Sequence, residues 1–530
     1  MQEMPDDPST DAETDLQARV LAFLEDAATH GGHRPQRLET HAAIVILAGE
    51  DAFKIKRAVR YPYLDFSTLE KRRAACEREM EVNRAYAGQI YHGVVAITRD
   101  AEGRLAIDGD GVPVEWAVHM QRFDETATLD RTILNGPLPP DVLDALGDRL
   151  AEAHGEAARR EAEPWIADLE TYLDDNAASF ARAPDLFPED EARTLDRRAR
   201  EALARIRPLL AARGAEGRIR HLHGDAHLGN VAMTDGAPLF FDAIEFDDRI
   251  ATGDVLYDLA FLVMDIWRHG HRAEASRVFN RYLTVHGDRS DLAALAAFPF
   301  FLMMRAAIRA KVTAARMGFL EGEERRAAAD DAVDAFRTAC DFLAPEEPRL
   351  VAVGGFSGTG KTTLSRRLAP SIGRPPGAVH LRTDIIRKRH AGVALTERLP
   401  KETYTRTSSD AVYDDMLAQA RIALGAGQGV LVDAVFAAEG ERRAAERVAA
   451  DAEAAFSGLW LQAPIPALEE RVTARRGDAS DADAAVVRAQ NGYDIGDLSW
   501  ATIETSGEKD DTLGAALAAS APVRGREPTG

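Results

Sequence analysis

The sequence predicts two domains, an α+β domain followed by an α/β domain built on a parallel sheet. Between residue 16 and about residue 343, apolar strand-like runs come first and long amphipathic helices, such as 142–158 and 193–212, come after, the order of an α+β fold. Residues 344–348, Ala-Pro-Glu-Glu-Pro, break the helix before them and lead into the apolar run Leu350-Val351-Ala352-Val353. Beyond that break, apolar runs at 350–353, 378–381, 429–435 and 458–461 alternate with helical stretches, as parallel strands covered by helices do. The expected layout is an acidic disordered tail over 1–20, a first domain over 21–343, a linker at 344–348, a second domain over 349–515 and a disordered tail over 516–530.

Length and composition agree with two large folded units. A chain of 530 residues exceeds what one core sustains, and 45% hydrophobic with 29% charged residues is an ordinary globular balance. The formal net charge of −22 repels nucleic acid and anionic membranes, so small neutral or cationic partners fit better than either. Cys76 and Cys340 stand far apart without metal-ligand spacing, which gives neither a disulfide framework nor a zinc site and makes a reducing cytoplasm the expected compartment. The first fifteen residues have no basic region or apolar core and do not read as a signal peptide. The most apolar segment, 292–304, is short for a membrane span and contains Pro299, so it reads as a buried helix. Nothing in the sequence sets an oligomeric state.

The sharpest motif opens the second domain. Gly355-Phe-Ser-Gly358-Thr-Gly360-Lys361-Thr362 follows an apolar strand and precedes the helix-competent stretch from Thr363, the context that makes a G-x-x-x-x-G-K-T string a Walker A phosphate loop for ATP or GTP. Glycines let backbone N–H groups turn onto phosphates, the following helix adds its positive end, Lys361 reaches the outer phosphates, and Thr362 can ligate Mg²⁺. Asp433 ends the strand Val430-Leu-Val-Asp433, a Walker B-like position for the magnesium shell, or a carboxylate that binds a neighbouring loop.

Asp384-Ile-Ile-Arg387 comes just after the second strand, where side chains reach the acceptor side of a phosphate site. The phosphate loop, this Asp-x-x-Arg and a basic stretch at Arg471-Val-Thr-Ala-Arg475-Arg476 together resemble small P-loop kinases, the polynucleotide 5′-hydroxyl kinase, gluconate kinase and zeta-toxin relatives. The resemblance covers 350 to about 506. It implies that Asp384 orients or deprotonates an acceptor hydroxyl, that Arg387 holds an anionic part of the acceptor, and that Arg475 and Arg476 belong to a lid closing on the transferring phosphate. Without it, Asp384 serves equally as a helix N-cap and the arginines as a solvated helix face.

The first domain carries a second constellation. His223-Gly-Asp225-Ala-His227-Leu-Gly-Asn230 sets an Asp and an Asn five positions apart in one loop, the pairing that phosphoryl transfer needs for an acceptor hydroxyl and a metal. The string resembles the catalytic loop of aminoglycoside phosphotransferases and choline kinases, distant relatives of protein kinases, and so implies a bilobal kinase-like fold over 34–342. By that resemblance Asp225 is the catalytic base, Asn230 a Mg²⁺ ligand and His223 a residue that shapes the loop; His227 reads on its own as a packed histidine. The family's second metal ligand falls on Asp242 or Glu245, and strand alternation would let only one of them serve. Gly253-Asp254 and Tyr257-Asp258 fall where the family braces its catalytic loop. The phosphate-binding lysine is Lys54, with Lys56 on the same strand face as competitor, and its helix partner is Glu79. Ile44 to Asp51 reads as a hairpin with a tight turn at Gly49, and Met120-Gln-Arg-Phe123 as the segment joining the lobes beside adenine.

These readings combine into a bifunctional phosphotransferase that uses Mg·ATP at both sites to phosphorylate hydroxyls of small molecules. The competing readings are a single kinase whose other nucleotide site is a sensor, and a nucleic-acid 5′-hydroxyl kinase, which the acidic charge disfavours.

Overall fold

The computed structural model describes residues 8–40, 42–61, 64–124, 127–474 and 480–521. The chain packs as two compact units, Met1–Glu170 with Leu210–Asp265, and Thr171–Leu209 with Ile266–Gly530. These units do not divide at 344–348, because the helices that follow Ile266 pack in the same unit as the parallel sheet.

The first unit is organised by a six-stranded antiparallel sheet. Its strands are β1 (Gln36–Glu39), β2 (Ala43–Ala48), β3 (Asp51–Lys56), β6 (Tyr91–Arg99), β7 (Leu105–Ile107) and β8 (Val112–Gln121), in the order β1-β2-β3-β8-β6-β7. A short separate hairpin, β4 (Arg60–Tyr61) with β5 (Leu64–Asp65), follows β3. The hairpin expected at Gly49 is present, with Ala48 opposite Asp51 and Gly49 at φ 62°, a left-handed turn that glycine adopts without steric cost.

One face of this sheet carries a helix that the sequence reading missed. Residues 8–24 form the helix Pro8–Leu24, not a tail, and Val20, Leu21 and Leu24 are buried against Ile44, Ile46, Phe53, Ile55 and Ile97. The apolar positions 16, 20 and 24 recur every fourth residue and make one buried stripe, a period masked by the acidic residues before them. Gln17 on the same helix is buried and satisfied, donating to the Lys56 carbonyl at 2.9 Å and to Glu115 at 2.7 Å. The other face holds helix Leu69–Ala87, whose Cys76 and Ala87 pack with Val118, Met120 and Leu239. Two further ladders complete the unit: β9 (Ile219–His221) with β12 (Thr252–Asp254), and β10 (Val231–Thr234) with β11 (Ala237–Phe240).

The second unit contains an all-parallel sheet of β13 (Arg349–Gly355), β14 (Val379–Arg382), β15 (Val430–Asp433), β16 (Ala455–Gln462) and β17 (Ala501–Glu504), ordered β14-β15-β13-β16-β17. β17 was not expected, because its short run Ala-Thr-Ile-Glu shows neither an apolar core nor a long alternation. Residues 516–521 are not a tail either. Helix Lys509–Ala519 buries Ala516 in the core with Val351, Leu368 and Leu461. Residues 1–7 and 522–530 of the two expected tails lie outside the described residues.

In the same unit, helices Phe298–Arg316 and Gly322–Phe342 lie together, and Phe180, Phe187 and Phe336 form an aromatic cluster with ring centroids 4.7–5.2 Å apart. The stretch Arg289–Phe319 is long and apolar enough to cross a membrane by composition, but 78% of its most apolar window is buried inside the protein. It is a core helix, as Pro299 suggested.

Candidate active sites

β3 presents Lys54 and Lys56 on one face, and both reach Glu79 on helix Leu69–Ala87. Lys54 Nζ lies 2.9 Å from Glu79 Oε1 and 2.6 Å from Asp242 Oδ1; Lys56 Nζ lies 2.6 Å from Glu79 Oε2 and pairs with Glu245. Glu79 is fully buried and shared, so the expected single ion pair is a five-member array of two cations and three carboxylates. Burial lowers Lys54, but Asp242, Glu79 and Glu245 outweigh it and hold the ammonium well above its ordinary value. Burial likewise raises Glu79, and the two lysines reverse this and keep it ionised.

The array separates the residues that the sequence left as alternatives. Asp242 is half exposed beside Lys54, whereas Glu245 and Lys56 are buried together, with side-chain exposures of 8% and 2%. The alternation argument does not apply, because β11 ends at Phe240 and Asp242 turns left-handed at φ 60°, a conformation that Asp tolerates better than most residues. Both carboxylates thereby reach lysines of one strand face. Asn83, one helical turn after Glu79, accepts from the Ala243 N–H at 2.9 Å and steadies this bend. Its i+4 spacing from Glu79 was the only sequence signal for that role.

The catalytic-loop residues come together as their spacing suggested. The Asn230 amide donates to the Asp225 carbonyl at 3.0 Å and to Asp225 Oδ2 at 2.9 Å, and Asp225 is about a third exposed. His227 accepts from the Gly229 N–H at 3.0 Å, so its Nε2 carries the proton and faces Asp225 Oδ2 at 3.4 Å. His227 therefore caps a turn and also lies against the carboxylate. His223 is buried, which lowers its pKa, and its neutral ring donates to the Phe241 carbonyl at 3.0 Å.

Two further carboxylates hold the loop from below. Asp258 accepts from the Gly224 N–H at 3.1 Å and lies 3.1 Å from His154 Nε2, and Asp265 accepts from the Leu228 N–H at 3.0 Å. Asp254 instead pairs with buried Arg213. Of the two braces suggested by the sequence, Asp258 is thus the one on the loop, and Asp265 was missed. Gly224 has φ 79°, and a Cβ there would lie 3.1 Å from the Ala251 Cα and 3.2 Å from the Ile250 carbonyl oxygen, so any larger residue would be strained. At the end of β8, Gln121 to Asp124 line an open recess with Gly49 and Glu50, the place expected for a base-binding segment.

In the second unit the glycine loop joins β13 to helix Lys361–Leu368. Gly355, Gly358 and Gly360 all have positive φ, and a Cβ on Gly358 would sit 2.7 Å from the Leu468 carbonyl. Lys361 Nζ donates to the carbonyls of Gly355 at 2.8 Å and Phe356 at 3.1 Å, spanning the loop. Thr363 occupies the helix turn after the loop. The Thr362 hydroxyl donates to Asp433 Oδ2 at 2.6 Å, and Asp433 is buried. Burial raises the Asp433 pKa, but His380, Arg382 and Lys361 pull it far below the carboxylate range. Gln490 accepts from the Ser357 N–H at 2.7 Å, a support with no sequence signal.

Asp384 and Arg387 lie on helix Thr383–Ala391, directly after β14. Arg382 occupies the N-cap position, so Asp384 is inside the first turn and is not the cap. The Arg387 guanidinium stacks on Tyr404 at 4.8 Å and approaches the hydroxyls of Ser408 and Ser409 at 3.4 and 3.3 Å. Asp481 gathers this side, accepting from Tyr404 OH at 2.8 Å, Leu399 N–H at 3.0 Å and Lys388 at 3.3 Å. Arg475 and Arg476 lie outside the described residues. Arg471, on helix Ile465–Ala474, donates to the Thr505 carbonyl at 2.7 Å.

Among the described residues no group of three or more His, Cys, Asp or Glu is arranged to hold a metal ion. The oxygen donors present, Thr362 beside Asp433 in the second unit and the side chains of Asn230 and Asp242 in the first, are of the hard kind that suits a magnesium ion completed by phosphates and water.

A kinase-like α+β fold with a paired Asp and Asn in its loop, joined to a P-loop fold, defines a nucleotide-dependent phosphotransferase of the kinase class with an alcohol group as acceptor. The model of the phosphotransferase enzyme family matches residues 64–298, and that of an AAA domain matches 350–493. The uncharacterized protein Rv2004c of Mycobacterium tuberculosis is 32% identical over 490 residues, covering 90% of this chain and 94% of its own. The chain belongs to the same two-domain family as that protein. Among solved structures, a choline/ethanolamine kinase family protein from Mesorhizobium loti is 15% identical with TM-score 0.34, covering 61% of this chain and 94% of its own. A gluconokinase from Sinorhizobium meliloti is 18% identical with TM-score 0.23, covering 32% of this chain and 91% of its own.

Proposed function

We propose that the chain is a bifunctional ATP-dependent kinase, each half moving the γ-phosphoryl group to a hydroxyl of a small molecule. The observation that carries the reading is the pairing of Asn230 with Asp225 at 2.9 Å in a chain that also holds Thr362 against Asp433 at 2.6 Å. Two sets of phosphate-transfer groups stand on two different frameworks.

In the first half Lys54, oriented by Glu79, holds the α/β-phosphates, and Asn230 and Asp242 would hold the magnesium ion. Glu245 is assigned to Lys56 and does not ligate. Asp225 accepts the proton of the acceptor hydroxyl as its oxygen attacks the γ-phosphorus, while the bond to the β–γ bridging oxygen breaks and ADP leaves. In the second half the loop N–H groups and Lys361 hold the phosphates, Thr362 and Asp433 would hold the magnesium ion, Asp384 receives the acceptor proton, and Arg387 holds an anionic group of the acceptor. Magnesium, when bound, neutralises charge on the β- and γ-phosphate oxygens.

A panel of small hydroxyl compounds incubated with ATP and the full chain, followed by detection of phosphorylated products, tests this reading. Lys361→Ala is expected to remove one class of product and spare the other. If every product persists in Lys361→Ala, the second half is not an enzyme.

A further inference from the structure

The P-loop half does not complete its own sheet edge. β14 is the edge strand of the parallel sheet, and an edge exposes unpaired backbone groups. Here the edge is taken by one side chain. Asn280, on helix Arg272–Val285, donates from Nδ2 to the Ala378 carbonyl at 3.0 Å, and its Oδ1 accepts from the His380 N–H at 2.7 Å. The amide thus does for two groups of this edge what a neighbouring strand would do.

Three other contacts fix this helix and the residues that follow it to the same fold. Arg389 donates to the Leu283 carbonyl at 3.0 Å, Arg374 donates to the Leu295 carbonyl at 2.8 Å, and Arg289 pairs with Asp415 at 2.9 Å. Asn280 and Leu295 both fall within the segment matched by the phosphotransferase family model, residues 64–298, so residues of one domain's sequence finish the framework of the other.

The held strand leads to the nucleotide loop. His380, whose backbone Asn280 grips, has a side chain only 6% exposed, with Nε2 3.4 Å from Asp433 Oδ2, the same oxygen that accepts from Thr362. Arg382, two residues on and on the same strand face, lies 3.7 Å from that oxygen.

We infer that Asn280 and His380 are positioning residues of the P-loop site: Asn280 sets the height of β14, and β14 holds His380 against the Asp433 carboxylate that faces Thr362. The inference rests on the reading of Thr362 and Asp433 as the metal side of a nucleotide site. Groups that orient a metal-ligating carboxylate typically change metal affinity by roughly 10–100-fold when removed.

The test uses the full chain carrying Lys54→Ala, which leaves the P-loop as the nucleotide site. Affinity for a non-hydrolysable ATP analogue is measured by titration calorimetry with Mg²⁺ and with EDTA. In this parent, Mg²⁺ is expected to tighten binding, and adding Lys361→Ala is expected to abolish it. Adding Asn280→Ala or His380→Phe is expected to shrink the Mg²⁺-dependent gain by about tenfold while the affinity in EDTA stays within twofold. Asn280→Asp, which keeps the acceptor for the His380 N–H and loses the donor, is expected to fall between. An unchanged Mg²⁺ gain in both variants overturns the inference, and so does an equal loss with and without Mg²⁺, which would mark a purely structural role. A parent that shows no Lys361-dependent binding overturns the nucleotide-site reading itself, and the inference with it.

Discussion

Asp225→Asn is expected to lower turnover at the first site by about 10²–10⁴-fold, the usual worth of a positioned general base, or about 3–5 kcal/mol in the barrier. The loop itself should survive the change. Asn is the same size as Asp, and at position 225 its side-chain oxygen can still accept from the Asn230 amide that now donates at 2.9 Å. The braces from Asp258 and Asp265 hold the backbone N–H groups of Gly224 and Leu228, which the substitution leaves in place. Turnover measured as ADP release in a Lys361→Ala background, beside an unchanged thermal midpoint, checks the prediction. A loss of less than threefold would mean that Asp225 is not the base.

Glu79→Gln is the second large effect, and it falls on stability as well as on nucleotide binding. Glu79 is fully buried and faces both Lys54 and Lys56, whose ammonium groups are 2.9 and 2.6 Å away. Removing one partner of a buried ion pair costs about 3–5 kcal/mol, because the remaining charge has lost its solvation and its counter-ion. Here two cations are left, with Asp242 and Glu245 as their remaining partners. The sign of the pH dependence follows from the direction of the Glu79 shift. A carboxyl whose folded pKa lies below its ordinary 4.5 adds stability above that pH and loses it as the pH falls. Wild-type unfolding midpoints in urea should therefore drop between about pH 4.5 and pH 2 more steeply than those of Glu79→Gln. Equal slopes would remove Glu79 from the account.

Much of this was readable in the residues because local chemistry carries it. Gly355 to Thr362 must adopt left-handed glycines in front of a helix, and no tertiary context alters that requirement. Asp225 and Asn230 share one short loop, so their meeting depended on five positions of chain and not on the fold. The hairpin at Gly49 and the order of strands and helices are equally local.

What stayed hidden depended on contacts between distant positions or on one dihedral angle. That Asp242 and Glu245 both reach lysines of one strand face depends on Asp242 leaving the strand at φ 60°, which alternation cannot foresee. Lys54 and Lys56 were opposed as rivals, yet Glu79 has two oxygens and serves both. The helix Pro8–Leu24 was concealed by acidic residues at its start, although its buried stripe is regular. Asn280 carries no motif at all. Its role appears only because β14 is at the sheet edge and a side-chain amide lies within 3.0 Å of it. The same contacts bear on how the halves are studied, since a cut at 344–348 would strip the P-loop fold of Asn280 and of its partners for Arg374 and Arg389.

The central claim is that one chain holds two working nucleotide sites. Titration calorimetry of the full chain with a non-hydrolysable ATP analogue and Mg²⁺ tests it most directly. The expected result is two nucleotides bound per chain, falling to one in Lys361→Ala, to one in Lys54→Ala and to none in the double variant. A single bound nucleotide that survives Lys361→Ala would contradict it.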